Sequence, residues 1–396
     1  MKGDIKMNVK ELIEKNKDYI LNMRRYFHMH PELSFEEYET TKTIAKELDK
    51  MGIPYQIPTE EPKTGLIGVI EGKKKGKVVA LRADMDALNV LEKNDVEYKS
   101  QNEGKMHACG HDTHMSMLLG AAKVLNEVKD ELCGKIYLIF QPAEEIGLGA
   151  KYMIRQGTWF DEIDSIYGSH IWSGLEAGKI SVESGDRMAA ADMFKIKIKG
   201  KSGHGSLPNE TVDAVVVGAA VVQNLQQLVA RNYSPLDSVT VTVGSFHSGN
   251  RFNIIAGQAE MEGTNRYFSR EIGKRIEKDM NRVIKGVCDA YGAEYELEYT
   301  YILGPTINEE KSSQTAAKAL EKVDPNANSK MQKTTGGEDF AFYLEKKPGC
   351  FGFVGCRNSK VGADFPHHSE RFNVDESVLT NGAAMYAQYA IDFLSE

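Results

Sequence analysis

Apolar positions in the first fifty residues recur near every 3.6 residues. Leu12, Ile13, Ile20, Leu21 and Phe27 predict helix over 8–29, closed by Pro31. Ser34-Phe35-Glu36-Glu37 has the spacing of a capping box and predicts a further helix running to Gly52. The pattern then shifts to short continuous apolar runs. Residues 77–82, 136–140 and 163–168 each predict a buried strand, while 113–128 and 148–155 keep helical spacing. Such alternation implies a largely parallel sheet with helices on its faces.

Beyond Asp192 the period becomes two. Residues 193–199 alternate apolar and basic, as a half-buried strand does. A helix (211–232), two strands (238–246 and 258–267), a helix (270–291) and a strand (294–299) follow. That β-α-β-β-α-β order is a ferredoxin-like split unit. The α/β pattern resumes with a strand at 350–355 and a closing helix from Asp375. The reading is α/β: a mixed, largely parallel-sheet domain formed by 1–187 and 303–396, interrupted by an inserted ferredoxin-like α+β domain at 188–302. The inserted sheet offers a free edge for a homodimer. Two copies of the 193–199 strand are candidates to pair there, although its lysines oppose such pairing.

Composition removes several function classes. Of 396 residues, 49 are Lys or Arg and 57 are Asp or Glu, a net charge of −8. An acidic balance argues against a nucleic-acid binder. No window approaches about 18 uninterrupted apolar residues, so no membrane span is expected. Residues 1–17 are a charged mixture without an apolar stretch, so a cytoplasmic location is expected. Five cysteines, an odd number spread over a long chain, do not form a disulfide framework.

The chemistry gathers where predicted strands end. The 77–82 run leads into Asp84-Met85-Asp86, the 136–140 run into Glu144-Glu145, and the 163–168 run into His170. In open α/β sheets, ligands collect outside the carboxyl ends of strands. Met106-His107-Ala108-Cys109-Gly110-His111-Asp112-Thr113-His114 precedes a predicted helix. A thiolate and an imidazole two positions apart suit zinc, nickel, cobalt or a similar metal, and a helix N-terminus favours the thiolate. The competing reading is a His-rich loop that caps a helix. Neighbouring Glu144 and Glu145 point opposite ways in extended chain, so one can bind metal while the other acts as a base. Pro366-His367-His368-Ser369-Glu370 adds two more imidazoles.

Leu81-Arg82-Ala83-Asp84-Met85-Asp86-Ala87-Leu88, Met106–Asp112 and Gln141-Pro142-Ala143-Glu144-Glu145 closely resemble the hippurate-hydrolase-type amidohydrolases. These belong with the metallopeptidases related to aminoacylase and glutamate carboxypeptidase. Gly263-Thr264-Asn265-Arg266 and Gly337-Glu338-Asp339-Phe340 also match, and the resemblance covers essentially the whole chain. It implies two divalent metal ions (manganese, zinc, cobalt or nickel) held by Cys109, His111, Glu145, His170 and His368, with Cys109 bridging. His368 is preferred to His367 because it keeps a His-x-x-x-Phe spacing to Phe372. Glu144 is implied as the general base and Asp84 as a second active-site acid. The inserted domain is implied as lid and dimerisation domain. There His204 would stabilise the tetrahedral intermediate, and Asn253 and Arg266 would contact a substrate carboxylate. His107 and His114 are expected in supporting roles. Asn89, Asn209 and Ala256 depart from the family pattern, in a loop and the lid.

The expected activity is metal-dependent hydrolysis of the amide bond of N-acyl-L-amino acids, of hippurate or N-acetyl-amino-acid type. Alternatives on the same scaffold are an N-acetyl-diaminopimelate deacetylase of lysine biosynthesis and a small-peptide exopeptidase. The non-enzymatic alternative is a catalytically silent metal-binding protein.

Overall fold

The computed structural model describes residues 8–396. The described residues divide into two compact units, one of residues 8–187, 307–332 and 342–396, the other of 188–306 and 333–341.

The first unit is built on a seven-stranded sheet. Its centre is parallel: Lys74–Asp84 lies between Cys133–Gln141 and Ser165–Glu176, and Gly349–Arg357 pairs with the far side of Ser165–Glu176. Leu66–Glu71 and Ile180–Ser181 flank these four strands antiparallel. The central strands are buried along most of their length, as continuous apolar runs require of a sheet covered on both faces. Ser165–Glu176 runs well past the expected end at 168, because Phe353 to Gly355 continue its parallel ladder as far as Trp172. His170 therefore sits inside a strand and not at its terminus.

Helix His111–Glu127 is buried on every side and packs against Lys17–Met29 and Leu379–Ser395. A helix enclosed in this way has little polar surface to show, which explains its weak amphipathic pattern. Contact with the last helix is close: a Cβ on Gly382 would stand 2.0 Å from the Met117 sulfur. The first predicted helix is two, Val9–Glu14 and Lys17–Met29. The next begins at Tyr38 and ends at the left-handed Gly52. Ser34 does not cap it; its hydroxyl donates instead to Asp86 Oδ2 at 2.7 Å.

The second unit carries a four-stranded antiparallel sheet in the order Val239–Ser248, Gln258–Tyr267, Ala190–Lys199, Glu294–Leu303. Helices Ala214–Asn232 and Ile276–Tyr291 pack with it around Phe194, Ile196, Ile198, Val221 and Ile284. The alternating 193–199 segment is central, bonded on both sides, so it offers no edge for pairing between copies. Its lysines instead meet acids across the strands, Lys195 with Glu262 and Lys197 with Glu260.

Asp213 accepts the Val215 amide at 2.9 Å and caps the first of these helices. Asp213→Ala is expected to cost about 1 kcal/mol, read as a lower urea midpoint at unchanged slope.

Candidate active site

The parallel registers bring three strand segments level. Asp84 pairs with Gln141, and Arg82 pairs with Gly168, so His170 stands two residues further along at the level of Asp84. Glu144 and Glu145 follow Gln141 in the next turn. Cys109 and His111 flank Gly110, whose φ of 95° starts helix His111–Glu127. A Cβ there would lie 2.4 Å from Ile171, so only glycine fits that approach. His368 joins from the C-terminal segment through its amide, which donates to the Ala108 carbonyl at 2.8 Å.

Ligand-type atoms cluster at this edge. Cys109, His111 and His170 place theirs within 4.8 Å of one another, and so do Cys109, Glu145 and His368. Cys109 is common to both groups. A third group joins His111 with Glu144 and Glu145. All five residues expected as ligands are thus brought together, with the expected base beside them.

Two of the ligand-type imidazoles, His170 and His111, are held on their other side. His170 Nδ1 faces the Ile171 carbonyl at 2.5 Å, leaving Nε2 3.4 Å from Cys109 Sγ. His111 Nδ1 faces Asp86 Oδ1 at 3.2 Å. Asp86 Oδ2 accepts the Glu145 amide at 3.0 Å as well as the Ser34 hydroxyl. Such outer partners fix ring orientation and tautomer at metal centres.

The inward atoms are left over. Among the described residues, His111 Nε2 and Glu145 Oε1 are buried without a hydrogen-bond partner. His111 Nε2 stands 3.8 Å from Asp84, 3.9 Å from Glu145 and 4.0 Å from Glu144, beyond hydrogen-bond reach of all three. Burial depresses the His111 pKa, but Asp84, Asp86 and Glu145 overcome it and raise it to about 10. Burial pushes the Cys109 thiol well up, and Glu145, Glu144 and Asp84 add to this. The expected helix effect on Cys109 is outweighed. A thiolate among these acids needs a cation, and thiol, imidazole and carboxylate are the donors that divalent transition metals take. The residues fit a two-metal centre.

Asp84 is locked by Arg82 Nη1 at 2.6 Å and His114 Nδ1 at 2.5 Å. His114 Nε2 accepts the Ile171 amide at 2.7 Å, so both its nitrogens are engaged. His367 accepts the Ser173 amide at 3.1 Å and lies against Trp172 and Phe372. His107 is buried with neither nitrogen hydrogen-bonded among the described residues, and burial lowers its pKa to about 4.

Several supporting residues have no assigned role in the sequence reading. Asp86 is one; its i+2 spacing from Asp84 along extended chain is the signal that could have found it. Arg24 and His28 are others. Asp112, next to His111, meets Arg24 Nε at 3.0 Å and His28 Nδ1 at 2.8 Å, and His28 Nε2 reaches Glu92 at 3.1 Å. Their i, i+4 spacing places both on one helix face. Glu37 is the third. Ala143 holds φ 56°, a left-handed backbone costing about 1–2 kcal/mol, and its amide donates to buried Glu37 Oε1 at 2.9 Å.

In the second unit, His204 and Asn253 come together: His204 pairs with Ile254, and the Gly205 amide donates to the Asn253 carbonyl at 3.0 Å. Arg266 is not with them. It lies near the other end of Gln258–Tyr267, eight residues or about 27 Å from Gln258. Thr264 holds it: the Thr264 hydroxyl donates to the Asp192 carbonyl at 2.7 Å and accepts from Arg266 Nη1 at 2.5 Å.

Residues 80–392 match peptidase family M20/M25/M40. The chain belongs to that family. It is 40% identical over 393 residues to thermostable carboxypeptidase 2 of Saccharolobus solfataricus, covering 98% of this chain and 99% of that one. An N-acyl-L-amino acid amidohydrolase of Geobacillus stearothermophilus is 42% identical over 305 residues, 76% of this chain and 81% of the relative. The crystal structure of Bacillus subtilis YXEP protein, described as a dinuclear metal-binding peptidase of the M20 family, superposes with a TM-score of 0.84. It is 34% identical and covers 96% of this chain and 99% of its own. The family resemblance read from the motifs is borne out, and the chain is a hydrolase of amide bonds.

Burial, and then Asp86, push the Glu37 carboxyl up to about 8 from its ordinary 4.5. The folded chain therefore holds a proton that the unfolded chain releases, and stability falls as pH rises between these values. Thermal melts of wild type and Glu37→Gln are expected to diverge from pH 5 to 8 in favour of the variant, with no further divergence above.

Proposed function

We propose that the protein hydrolyses the amide of N-acyl-L-amino acids bearing a free carboxylate. The observation that most supports this reading is Cys109 shared between two ligand groups, with Glu144 beside them. The likeness to both an amidohydrolase and a carboxypeptidase fits one reaction class, since each releases an amino acid from an amide on its nitrogen.

Cys109, His111, Glu145, His170 and His368 would hold the two ions, of manganese, zinc, cobalt or nickel. When bound, these supply Lewis-acid charge that acidifies water and polarises an amide carbonyl. Glu144 accepts the proton of the attacking water at its carboxylate and delivers it to the leaving nitrogen. Asp84, locked between Arg82 and His114, orients the ligand side of the site. His204 stabilises the developing oxyanion, and Asn253 and Arg266 contact the substrate carboxylate, for which a guanidinium fork is suited.

The separation of His204 and Asn253 from Arg266 supports a homodimer in which the two groups serve a site from different copies. Apolar side chains near His204 support it further: Leu207, Val215, Val216 and Ile254 are exposed, and Phe252 is 95% exposed. A small-peptide exopeptidase is the second reading, favoured by the carboxypeptidase relative. Rates on benzoyl-glycine, N-acetyl-methionine, N-acetyl-diaminopimelate and dipeptides, each with the four metals, separate these activities. A cytoplasmic location completes the reading.

Glu144→Gln is expected to abolish turnover while two metals per chain are retained, checked by metal analysis beside the assay. His204→Ala and Arg266→Met homodimers are each expected to be inactive. After subunit exchange, equal mixtures should regain about a quarter of wild-type activity, because half the dimers then contain one intact site. No recovery in dimers shown by native mass spectrometry to have exchanged subunits would refute the shared site.

A further inference from the structure

Glu37 takes no part in the chemistry described above, yet it is fully buried on a segment 106 residues upstream of Ala143. Its surroundings show what it does. The turn that displays Glu144 is gripped by carboxyl groups at two places: Glu37 Oε1 accepts the Ala143 amide at 2.9 Å, and Asp86 Oδ2 accepts the Glu145 amide at 3.0 Å. Glu144 lies between the two grips. Within the turn, the Ala143 carbonyl accepts from Gly149 at 3.0 Å and the Glu144 carbonyl from Gly147 at 2.7 Å. Ala143 pays for none of its left-handed φ of 56° through a missing side chain, as a glycine would, so outside contacts must hold it.

We propose that Glu37 is a positioning residue for Glu144, fixing the left-handed Ala143 through its amide and thereby the direction in which the next side chain leaves the turn. This rests on the reading of Glu144 as general base. Burial and the neighbouring Asp86 keep the Glu37 carboxyl protonated to about pH 8, so it meets the Ala143 amide as a neutral carbonyl oxygen. An amide oxygen is equivalent in that role. An apolar side chain is not, because it leaves the buried Ala143 N–H without an acceptor.

The test measures kcat, KM, metal content and thermal melting for full-length Glu37→Gln, Glu37→Leu and Glu144→Gln, on N-acetyl-L-methionine and benzoyl-glycine. Glu37→Gln is expected to keep kcat within about twofold of wild type, and Glu37→Leu to lower it at least about tenfold with KM and metal content unchanged. Wild-type kcat in the Leu variant overturns the proposal, as does a Gln variant that falls as far as Leu. A Leu variant that loses metal or cooperative melting assigns Glu37 to folding and overturns it too. Full turnover by Glu144→Gln removes the general-base reading itself, a failure distinct from any result at Glu37.

Discussion

Buried negative charge is the constraint on which the site depends. Asp84, Asp86, Glu144 and Glu145 gather at one sheet edge with Cys109, all but shut off from water. Carboxylates and a thiolate so placed repel one another with little solvent screening, and only cations among them allow the full set to ionise together. The raised pKa values of His111 and Cys109 express the same demand from either side: the imidazole holds a proton and the thiol keeps its own. A metal bound by Cys109 and His111 would displace both protons, which would link loading of the site to pH.

Around that centre the chain spends its buried polar groups on orientation. Asp86 holds His111 and the Glu145 amide, His114 and Arg82 hold Asp84, and the Ile171 carbonyl holds His170. Behind the helix that starts at His111, Arg24 and His28 grip Asp112. The supporting groups come from several strands, helices and loops, so the geometry rests on the packed unit and on no single loop. The same economy appears in the second unit, where the Asp192 carbonyl takes the only proton of the Thr264 hydroxyl. The lone pairs of that hydroxyl then face Arg266.

Elements with a clean period were legible in the chain itself. The strand alternation at 193–199 and the β-α-β-β-α-β order of the second unit are found as expected. So are the buried runs that form the parallel sheet. Elements whose limits depend on neighbours were less so. Ser165–Glu176 outruns its apolar stretch because Gly349–Arg357 continues to pair with it. Ser34 has the local spacing of a cap, yet its hydroxyl finds Asp86, 52 residues away. The 193–199 strand has a composition suited to an edge, but its acidic neighbours on both sides place it inside the sheet.

By itself, the sequence determined the donor types, their placement after apolar runs, and the family that these motifs mark. Residue type and spacing are local properties, and a period of two or 3.6 records which face of an element is buried. Tertiary structure alone decided that His114 is consumed by Asp84 and Ile171, and that Glu37 reaches Ala143. It also decided that Arg266 stands far from His204 and Asn253. These depend on strand register and on helices closing over a sheet, which join residues up to some hundreds of positions apart in ways that no local pattern encodes.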